Sequence, residues 1–244
     1  MMEKKLAVFD FDHTIVQDNS DVVAINLIDP KKIPPELKKL HKSDGWTLFM
    51  QEIFQLLHKY DIKEDKIKSV IVSLEEVEGM GNLIRKLKEL NFDVIIISDS
   101  NTYFINAWLE ANNLSQYVYK VFSNPAYFNE SGVLIISMYH LQTTCNLSTK
   151  NLCKGQIMED FIKAQKDKGI SYEKIIYCGD GMNDYCPILK LNKTDLACVR
   201  KGYKCVELVK KSKDGFDVDE TGNCRIVNAN LCIWSNGNDI YSLL

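Results

Sequence analysis

Short apolar segments, each followed by small or acidic residues, recur along the chain and constrain its fold more than any other feature. They lie at residues 6–9, 94–97, 175–178, 196–199 and 231–234. Because each segment is continuously apolar, it is typical of a strand buried on both faces of a parallel sheet. Segments with apolar residues three or four apart lie between them, which indicates helices. Strand alternating with helix predicts a doubly wound α/β sheet.

The stretch from residue 18 to residue 77 interrupts this alternation, because it contains no convincing strand. Helical patterns lie within it at residues 22–27, 46–60 and 63–74. We therefore predict a catalytic core made of residues 1–17 and 78–244, with residues 18–77 inserted after the first strand as a small helical cap. A second irregular stretch, residues 121–140, is predicted to form a small β-hairpin or flap.

Composition narrows the class of protein. Hydrophobic residues make up 45% of the chain, charged residues 26%, and the formal net charge is only -3. These values exclude a disordered or fibrous chain, and the scattered lysines argue against a nucleic-acid partner. The first apolar run is too short for a signal peptide or a membrane span, so we expect a cytoplasmic protein without a membrane partner. The eight cysteines include no CxxC pair, which fits reduced, buried thiols.

Clustered carboxylates follow two of the predicted strands. Asp10 and Asp12 come directly after the first, and Asp180 and Asp184 follow the strand at residues 175–178. The carboxyl ends of parallel strands form the ligand-binding edge of such a sheet. Acidic side chains meeting there would repel one another, so the site needs a cation, and oxygen ligands suit Mg²⁺. Taken alone, the second element could equally be a tight turn in which Asp184 caps the next helix.

Two further strand or helix ends offer groups that suit a phosphate. Ser98 and Asp99 end the second strand, where a hydroxyl and backbone N–H groups open a predicted helix. Either side chain could instead be an ordinary helix cap. Lys154 and Gly155 precede another predicted helix, where a lysine is unusual because helix starts favour acids. We interpret Lys154 as a side chain that reaches for an anion.

The order of these elements resembles the haloacid dehalogenase superfamily of aspartate-nucleophile phosphatases. The match extends further, and nearly the whole chain is similar to the phosphoethanolamine/phosphocholine phosphatase family, whose relatives include pyridoxal phosphate phosphatase and plant pyrophosphate or thiamine phosphate phosphatases. The segments that carry the resemblance are FDFDHTIVQDNSD (9–21), VIIISDSNT (94–102), NPAYFN (124–129), NLCKG (151–155), YCGDGMNDYCP (177–187) and VRKGY (199–203).

The resemblance implies a phosphoric monoester hydrolase that uses Mg²⁺ and small-molecule phosphate esters. Asp10 would be the nucleophile, giving an aspartyl-phosphate, and Asp12 the general acid and base. The metal would be held by Asp10, by the main-chain carbonyl of Asp12 and by Asp180, supported through water by Asp184. Ser98 and Lys154 would bind the phosphoryl oxygens.

Substrate choice stays open at this point. The family resemblance implies that Asp21 and Asp99 face a cationic amine, as choline or ethanolamine phosphate would provide. Asp21 could instead favour the dipole of a helix that starts beside it. Trp46 and Phe49 could stack on pyridoxal phosphate, although such residues are more often core. Pyrophosphate and thiamine monophosphate are the remaining candidates.

Other readings of the chain are weaker. A phospho-accepting signalling domain also places an aspartate, a hydroxyl and a lysine at strand ends, but it would lack the Asp12 acid. A dinucleotide oxidoreductase would need the third glycine of GxGxxG, which is missing here. One departure from the family concerns a cysteine cluster before the lysine, where Ser148 stands in place of a second cysteine. We interpret Cys145, Cys153 and His140 as structural, because three mixed ligands do not complete a zinc site.

Overall fold

The computed structural model describes residues 2–40 and 45–244. Its strands are β1 Met2–Phe9, β2 Phe92–Asn101, β3 Lys120–Asn124, β4 Ala126–Phe128, β5 Leu134–Ile136, β6 Ile170–Gly179, β7 Leu196–Arg200 and β8 Asn230–Trp234. Its α-helices are α1 Ser20–Ile25, α2 Pro35–Lys38, α3 Trp46–Lys59, α4 Glu64–Val72, α5 Met80–Glu89, α6 Thr102–Ala111, α7 Lys154–Asp167, α8 Tyr185–Ile188, α9 Lys204–Lys213 and α10 Gly237–Tyr241. Within these ranges no helix combines the length and the apolar character that crossing a bilayer requires.

Six of these strands form one parallel sheet in the order β3-β2-β1-β6-β7-β8. The predicted α/β class is therefore confirmed, and each of the five predicted strands is present. Each central strand contains a continuously apolar segment, because helices cover both faces of the sheet there and neither face is exposed to water. Two apolar clusters follow from this, one on each side of the sheet.

The irregular stretch at residues 121–140 was only partly predicted. Strands β4 and β5 do form the expected antiparallel hairpin. Strand β3, however, is a member of the main sheet and pairs with β2. It was missed because it lies at the edge of the sheet and contributes only Val121 and Phe122 as apolar residues, which is too short a run to indicate a buried strand.

The inserted segment is helical, as expected, and its described part carries α1 to α4. Helix α3 buries one face with Phe49, Met50, Ile53, Phe54 and Leu57, at the spacing of three and four that a helix face requires. These residues belong to the same apolar cluster as one face of the sheet. The division into a core and a cap stays a prediction, and residues 41–44 of the proposed cap lie outside the described residues.

One side chain of α3 forms two hydrogen bonds with the hairpin, whose residues Leu134 and Ile136 also share the apolar cluster of α3. Gln51 donates to the carbonyl of Leu134 at 3.4 Å and accepts from the backbone N–H of Ile136 at 2.9 Å. The inserted helices therefore contact both the sheet face and the hairpin. Together they lie beside the edge where β1, β2 and β6 end.

Candidate active site

Three neighbouring strands end at the predicted site. The backbone ladder between β1 and β6 continues past Phe9, because the N–H of Asp10 donates to the carbonyl of Cys178 at 2.9 Å. This pairing sets Asp10 beside the start of the loop that carries Asp180. Strand β2, on the other side of β1, brings Ser98 to the same edge. The side chains of Asp10, Ser98 and Asp180 are all buried.

Lys154 is the first residue of α7 and is completely buried. Its ammonium donates to Asp10 Oδ2 at 2.5 Å and to Asp184 Oδ1 at 2.7 Å. Burial alone would favour the neutral amine, but the adjacent Asp10 and Asp184 carboxylates outweigh it and raise the pKa of Lys154. The lysine is therefore a permanent cation in the site, and the anions that it reaches for in this structure are the two carboxylates.

Asp184 connects the lysine to the loop after β6. Its Oδ2 accepts from the backbone N–H groups of Asp180 and Gly181 at 3.0 and 2.8 Å. Its Oδ1 accepts from Tyr177 Oη at 2.7 Å, in addition to the ammonium of Lys154. The carboxylate therefore holds the loop and the lysine rather than capping α8. Sequence reasoning did not single out Tyr177, because it lies in the apolar segment of β6 and was counted as a core residue.

The three carboxylates of Asp10, Asp180 and Asp184 can each place one oxygen within 4.8 Å of the others. Burial and the neighbouring carboxylates raise the pKa of Asp10 to about 7 and that of Asp180 to about 8. Among the residues that the structure describes, Lys154 is the only cation bonded to this cluster. One positive charge does not balance three buried carboxylates, and their hard oxygen donors fit Mg²⁺.

One oxygen of Asp180 is already used within the protein. Thr14 Oγ1 donates to Asp180 Oδ1 at 3.2 Å, which fixes the rotation of the carboxylate. Thr14 is part of the segment that carries the family resemblance, but sequence reasoning gave it no function. Its position four residues after Asp10 places it on the turn that follows β1.

Asp12 lies in a different environment. Its Oδ1 accepts from the backbone N–H of Ser20 at 2.9 Å. Burial raises the pKa of Asp12 well above its ordinary range, and the negative charge of Asp21 adds to the effect. A carboxyl group with such a pKa holds a proton that it can give to a leaving group. The sequence did not predict this contact of Ser20, because it is made by a backbone N–H, which every residue except proline has.

Asp21 is buried beside Trp46. The indole Nε1 donates to Asp21 Oδ2 at 2.7 Å. Oδ1 makes no hydrogen bond of standard length and angle within the described residues, but the side chain of Asn101 is close enough to favour the charged form of Asp21. Burial raises the pKa of Asp21 to about 7, with a further contribution from the charge of Asp99. Asp21 lies in the first turn of α1, which Asn19 caps, so its charge is also placed where it would favour the helix dipole.

Asp99 is partly exposed, and its Oδ2 accepts from Asn183 Nδ2 at 3.0 Å. The amide of Asn183 therefore links the end of β2 to the loop that follows β6. Asn101, and neither Ser98 nor Asp99, caps α6, since its side chain accepts from the N–H of Phe104 at 3.0 Å. This leaves the Ser98 hydroxyl, which accepts from the N–H of Ser100 at 3.3 Å, able to donate its proton to a ligand.

The two aromatic residues considered for stacking differ in burial. Phe49 is part of the apolar core, and its ring centroid lies 5.5 Å from that of the half-buried Trp46, with the planes tilted by 46°. Trp46 covers Asp21 and donates to it. Trp46 therefore packs against the core and also donates a hydrogen bond to Asp21, a candidate substrate-binding residue.

The chain is similar to known phosphatases along most of its length. A family model described as Putative Phosphatase matches residues 5–244. The chain is 39% identical over 244 residues to the human pyridoxal phosphate phosphatase PHOSPHO2, covering 99% of this chain and 97% of the human protein. It is 28% identical over 210 residues to the human phosphoethanolamine/phosphocholine phosphatase, covering 85% of this chain and 78% of that protein.

Solved structures are similar at the level of the fold. A phosphoserine phosphatase in its apo form superimposes with a TM-score of 0.62 at 21% sequence identity, covering 99% of each chain. The overall fold is therefore also found in a protein that is only 21% identical in sequence.

Proposed function

This chain belongs to the putative phosphatase family, and we propose that it is a magnesium-dependent phosphatase of small phosphate monoesters that carry a positively charged nitrogen. The names of its relatives support this class of substrate. One set is named for pyridoxal phosphate and the other for phosphoethanolamine and phosphocholine. Each of these compounds joins a phosphate ester to a nitrogen that is, or can become, cationic.

Asp10 is proposed as the nucleophile. A carboxylate oxygen of Asp10 forms a bond to phosphorus while the bond from phosphorus to the ester oxygen breaks. The departing oxygen takes the proton of Asp12, whose raised pKa supports that role. Water then attacks the phosphorus and gives a proton back to Asp12. The bond from phosphorus to the Asp10 oxygen breaks, which releases inorganic phosphate and restores the carboxylate.

Asp10 and Asp180 are proposed to hold Mg²⁺ together with the main-chain carbonyl of Asp12. A bound magnesium ion supplies positive charge that offsets the negative charge of the phosphoryl group. Asp184 is proposed as a positioning residue, because its four hydrogen bonds join the acidic loop to Lys154.

Lys154 and Ser98 are proposed to bind the phosphoryl oxygens. In the free protein the ammonium of Lys154 is bonded to Asp10 and Asp184. An entering phosphoryl group would share that ammonium, so the positive charge is already in place when the substrate arrives. Such prearranged charge supports phosphoryl transfer, because the reaction depends mainly on position and electrostatics.

The pairing of Asp21 with Asp99 is the observation that carries the substrate assignment. Asp21 is buried and close to the negative charge of Asp99, and within the described residues its Oδ1 has only the side chain of Asn101 nearby, without a hydrogen bond of standard geometry. A carboxylate buried near a second negative charge costs free energy, which the raised pKa of Asp21 reflects, and a nearby cation would lower that cost. The cationic nitrogen of the substrate would be that partner.

A panel of phosphate esters tests the proposal. The purified protein would be assayed with phosphocholine, phosphoethanolamine, pyridoxal phosphate, p-nitrophenyl phosphate and pyrophosphate, each with Mg²⁺ and with EDTA. We expect repeated release of phosphate only with Mg²⁺, and a higher kcat/KM for the esters that carry a cationic nitrogen than for p-nitrophenyl phosphate or pyrophosphate. Faster turnover of pyrophosphate would overturn the substrate class, and a single labelling event without turnover would favour the signalling domain.

A further inference from the structure

Three cysteines from separate segments meet beside the proposed active site. Cys145 lies in the loop after β5, Cys153 directly precedes α7, and Cys186 is part of α8. Cys186 Sγ lies 3.4 Å from Cys145 Sγ and 3.8 Å from Cys153 Sγ, and the three sulfurs all lie within 4.8 Å of one another. Cys153 and Cys186 are buried, and Cys145 is half-buried.

These separations match the geometry of a metal site better than that of a disulfide. Bonded sulfurs lie about 2.05 Å apart, far closer than any pair in the cluster. Thiolates bound to zinc at about 2.3 Å in a tetrahedron lie roughly 3.8 Å from one another. The two separations of 3.4 and 3.8 Å are close to that edge length. The third sulfur completes one face of the tetrahedron.

A possible fourth ligand lies beside two of the three sulfurs. Ser148 Oγ lies 3.4 Å from Cys145 Sγ and 3.3 Å from Cys153 Sγ. A cavity of about 390 Å³ opens beside the cluster and is lined by all three cysteines together with Leu147 and Leu189. It offers an entry path for an ion and room for a water molecule at the fourth position.

The cluster differs from the set considered from the sequence. His140 Nε2 accepts from the backbone N–H of Cys153 at 2.9 Å, so this nitrogen is directed at the main chain. Cys186 takes its place beside Cys145 and Cys153. Helix α7 also approaches Cys186 closely, since a Cβ on Gly155 would lie 2.6 Å from the Cys186 sulfur. Glycine at that position is what allows the sulfurs to converge.

We propose that Cys145, Cys153 and Cys186 bind a zinc ion through their thiolates, with Ser148 or a water molecule as the fourth ligand. This site is separate from the proposed magnesium site, because its soft sulfur donors select a different metal. The ion would join the residue before Lys154 to the residue two positions after Asp184. It would therefore brace the two segments that supply the buried ion pair.

Metal content and cobalt spectroscopy test the proposal on the full chain. The protein would be purified under reducing conditions, and its zinc measured by elemental analysis after dialysis. We expect about one zinc per chain, as a tetrahedral thiolate site binds one ion. Replacing the zinc by Co²⁺ should give a thiolate-to-cobalt charge-transfer band in the near ultraviolet. Cobalt held by the carboxylates would not give that band, so Asp180→Ala should leave it unchanged.

Cysteine variants assign the band to the cluster. Cys186→Ser should lose both the zinc and the band, whereas Cys224→Ser, at an exposed cysteine outside the cluster, should keep both. If Cys186→Ser fails to fold, Cys145→Ser at the half-buried position serves instead. Wild-type protein without zinc and without the charge-transfer band would overturn the proposal. A disulfide between Cys145 and Cys186, formed in air without metal uptake, would assign the cluster to redox chemistry and equally overturn it.

Discussion

Discrimination between charged and neutral substrates is expected to depend on pH through Asp21. Burial raises the pKa of Asp21 to about 7, and the charge of Asp99 contributes to the increase. Below that pKa the free protein holds Asp21 as a neutral acid, which offers no charge to a cation. Above it, Asp21 is negative. The preference for a cationic ester should therefore increase as the pH rises through 7 and then level off.

The size of the effect follows from the ionised fraction. With a pKa of about 7, roughly a tenth of Asp21 is ionised at about pH 6 and roughly nine tenths at about pH 8. Because kcat/KM reports the free enzyme, the preference should rise about tenfold across that interval. The upper limit is the charge-assisted contact itself, worth about 1.5 to 3 kcal/mol or roughly tenfold to a hundredfold in kcat/KM.

The assay compares phosphocholine with 3,3-dimethylbutyl phosphate, which replaces the quaternary nitrogen by carbon. Titration of Asp12 affects both esters alike and cancels in the ratio of their kcat/KM values. The phosphate groups of the two esters titrate differently, because the quaternary nitrogen favours the dianion, so each kcat/KM is first expressed per concentration of that ester's dianion. Asp21→Asn should remove the dependence of this ratio on pH, and Asp18→Asn, at an exposed acid on the same segment, should keep it. A wild-type ratio that stays flat or falls between pH 6 and pH 8 would refute the assignment of Asp21 as a cation ligand.

Three further predictions concern catalysis, metal and stability. Asp10→Asn should abolish phosphate release while the circular dichroism spectrum stays unchanged, because the amide keeps the shape but is no nucleophile. Asp180→Ala should raise the Mg²⁺ concentration needed for half-maximal activity, because it removes one of the few proposed protein ligands. Asp93→Asn should lower the free energy of unfolding in urea by about 1.5 to 3 kcal/mol, because the buried Asp93 carboxylate accepts from Lys4 at 2.9 Å and from Tyr172 at 2.8 Å.

Each of these predictions has an outcome that contradicts it. Activity of Asp10→Asn within about tenfold of the wild type would remove it as the nucleophile. An unchanged Mg²⁺ requirement in Asp180→Ala would mean that the metal is held elsewhere. For Asp93, the matched variant is Glu89→Gln, whose pair with Lys86 at 3.1 Å is exposed and should contribute nothing measurable. Equal losses in both variants would show that net charge, and not the buried contacts, controls stability.

The sequence was sufficient to place Asp10, Ser98 and Asp180 together because their positions follow from the sheet alone. Asp10 and Ser98 come directly after continuously apolar segments, Asp180 follows such a segment after one glycine, and parallel strands end at one edge. The short edge strand at residues 120–124 was not predicted in this way, since an edge strand need not be continuously apolar.

Contacts made across the fold could not be predicted in this way. Tyr177 lies inside an apolar strand, and its bond to Asp184 depends on which face of β6 it occupies. The link between Trp46 and Asp21 depends on how α3 packs beside α1. Cys186 joins the sulfur cluster only because α8 turns back toward the start of α7. Such pairings depend on helix packing, which sequence periodicity does not specify.

The order of strands in the sheet has a consequence for how the protein acquires activity. Strand β1 lies between β2, which begins at Phe92, and β6, which begins at Ile170. Pairs so distant along the chain close large loops, which slows folding. A nascent or refolding chain that has paired β1 only with β2 contains Asp10 and Ser98 but has not yet received Asp180. Recovery of phosphatase activity should therefore lag behind recovery of secondary structure. The return of activity would then mark the pairing of β1 with β6.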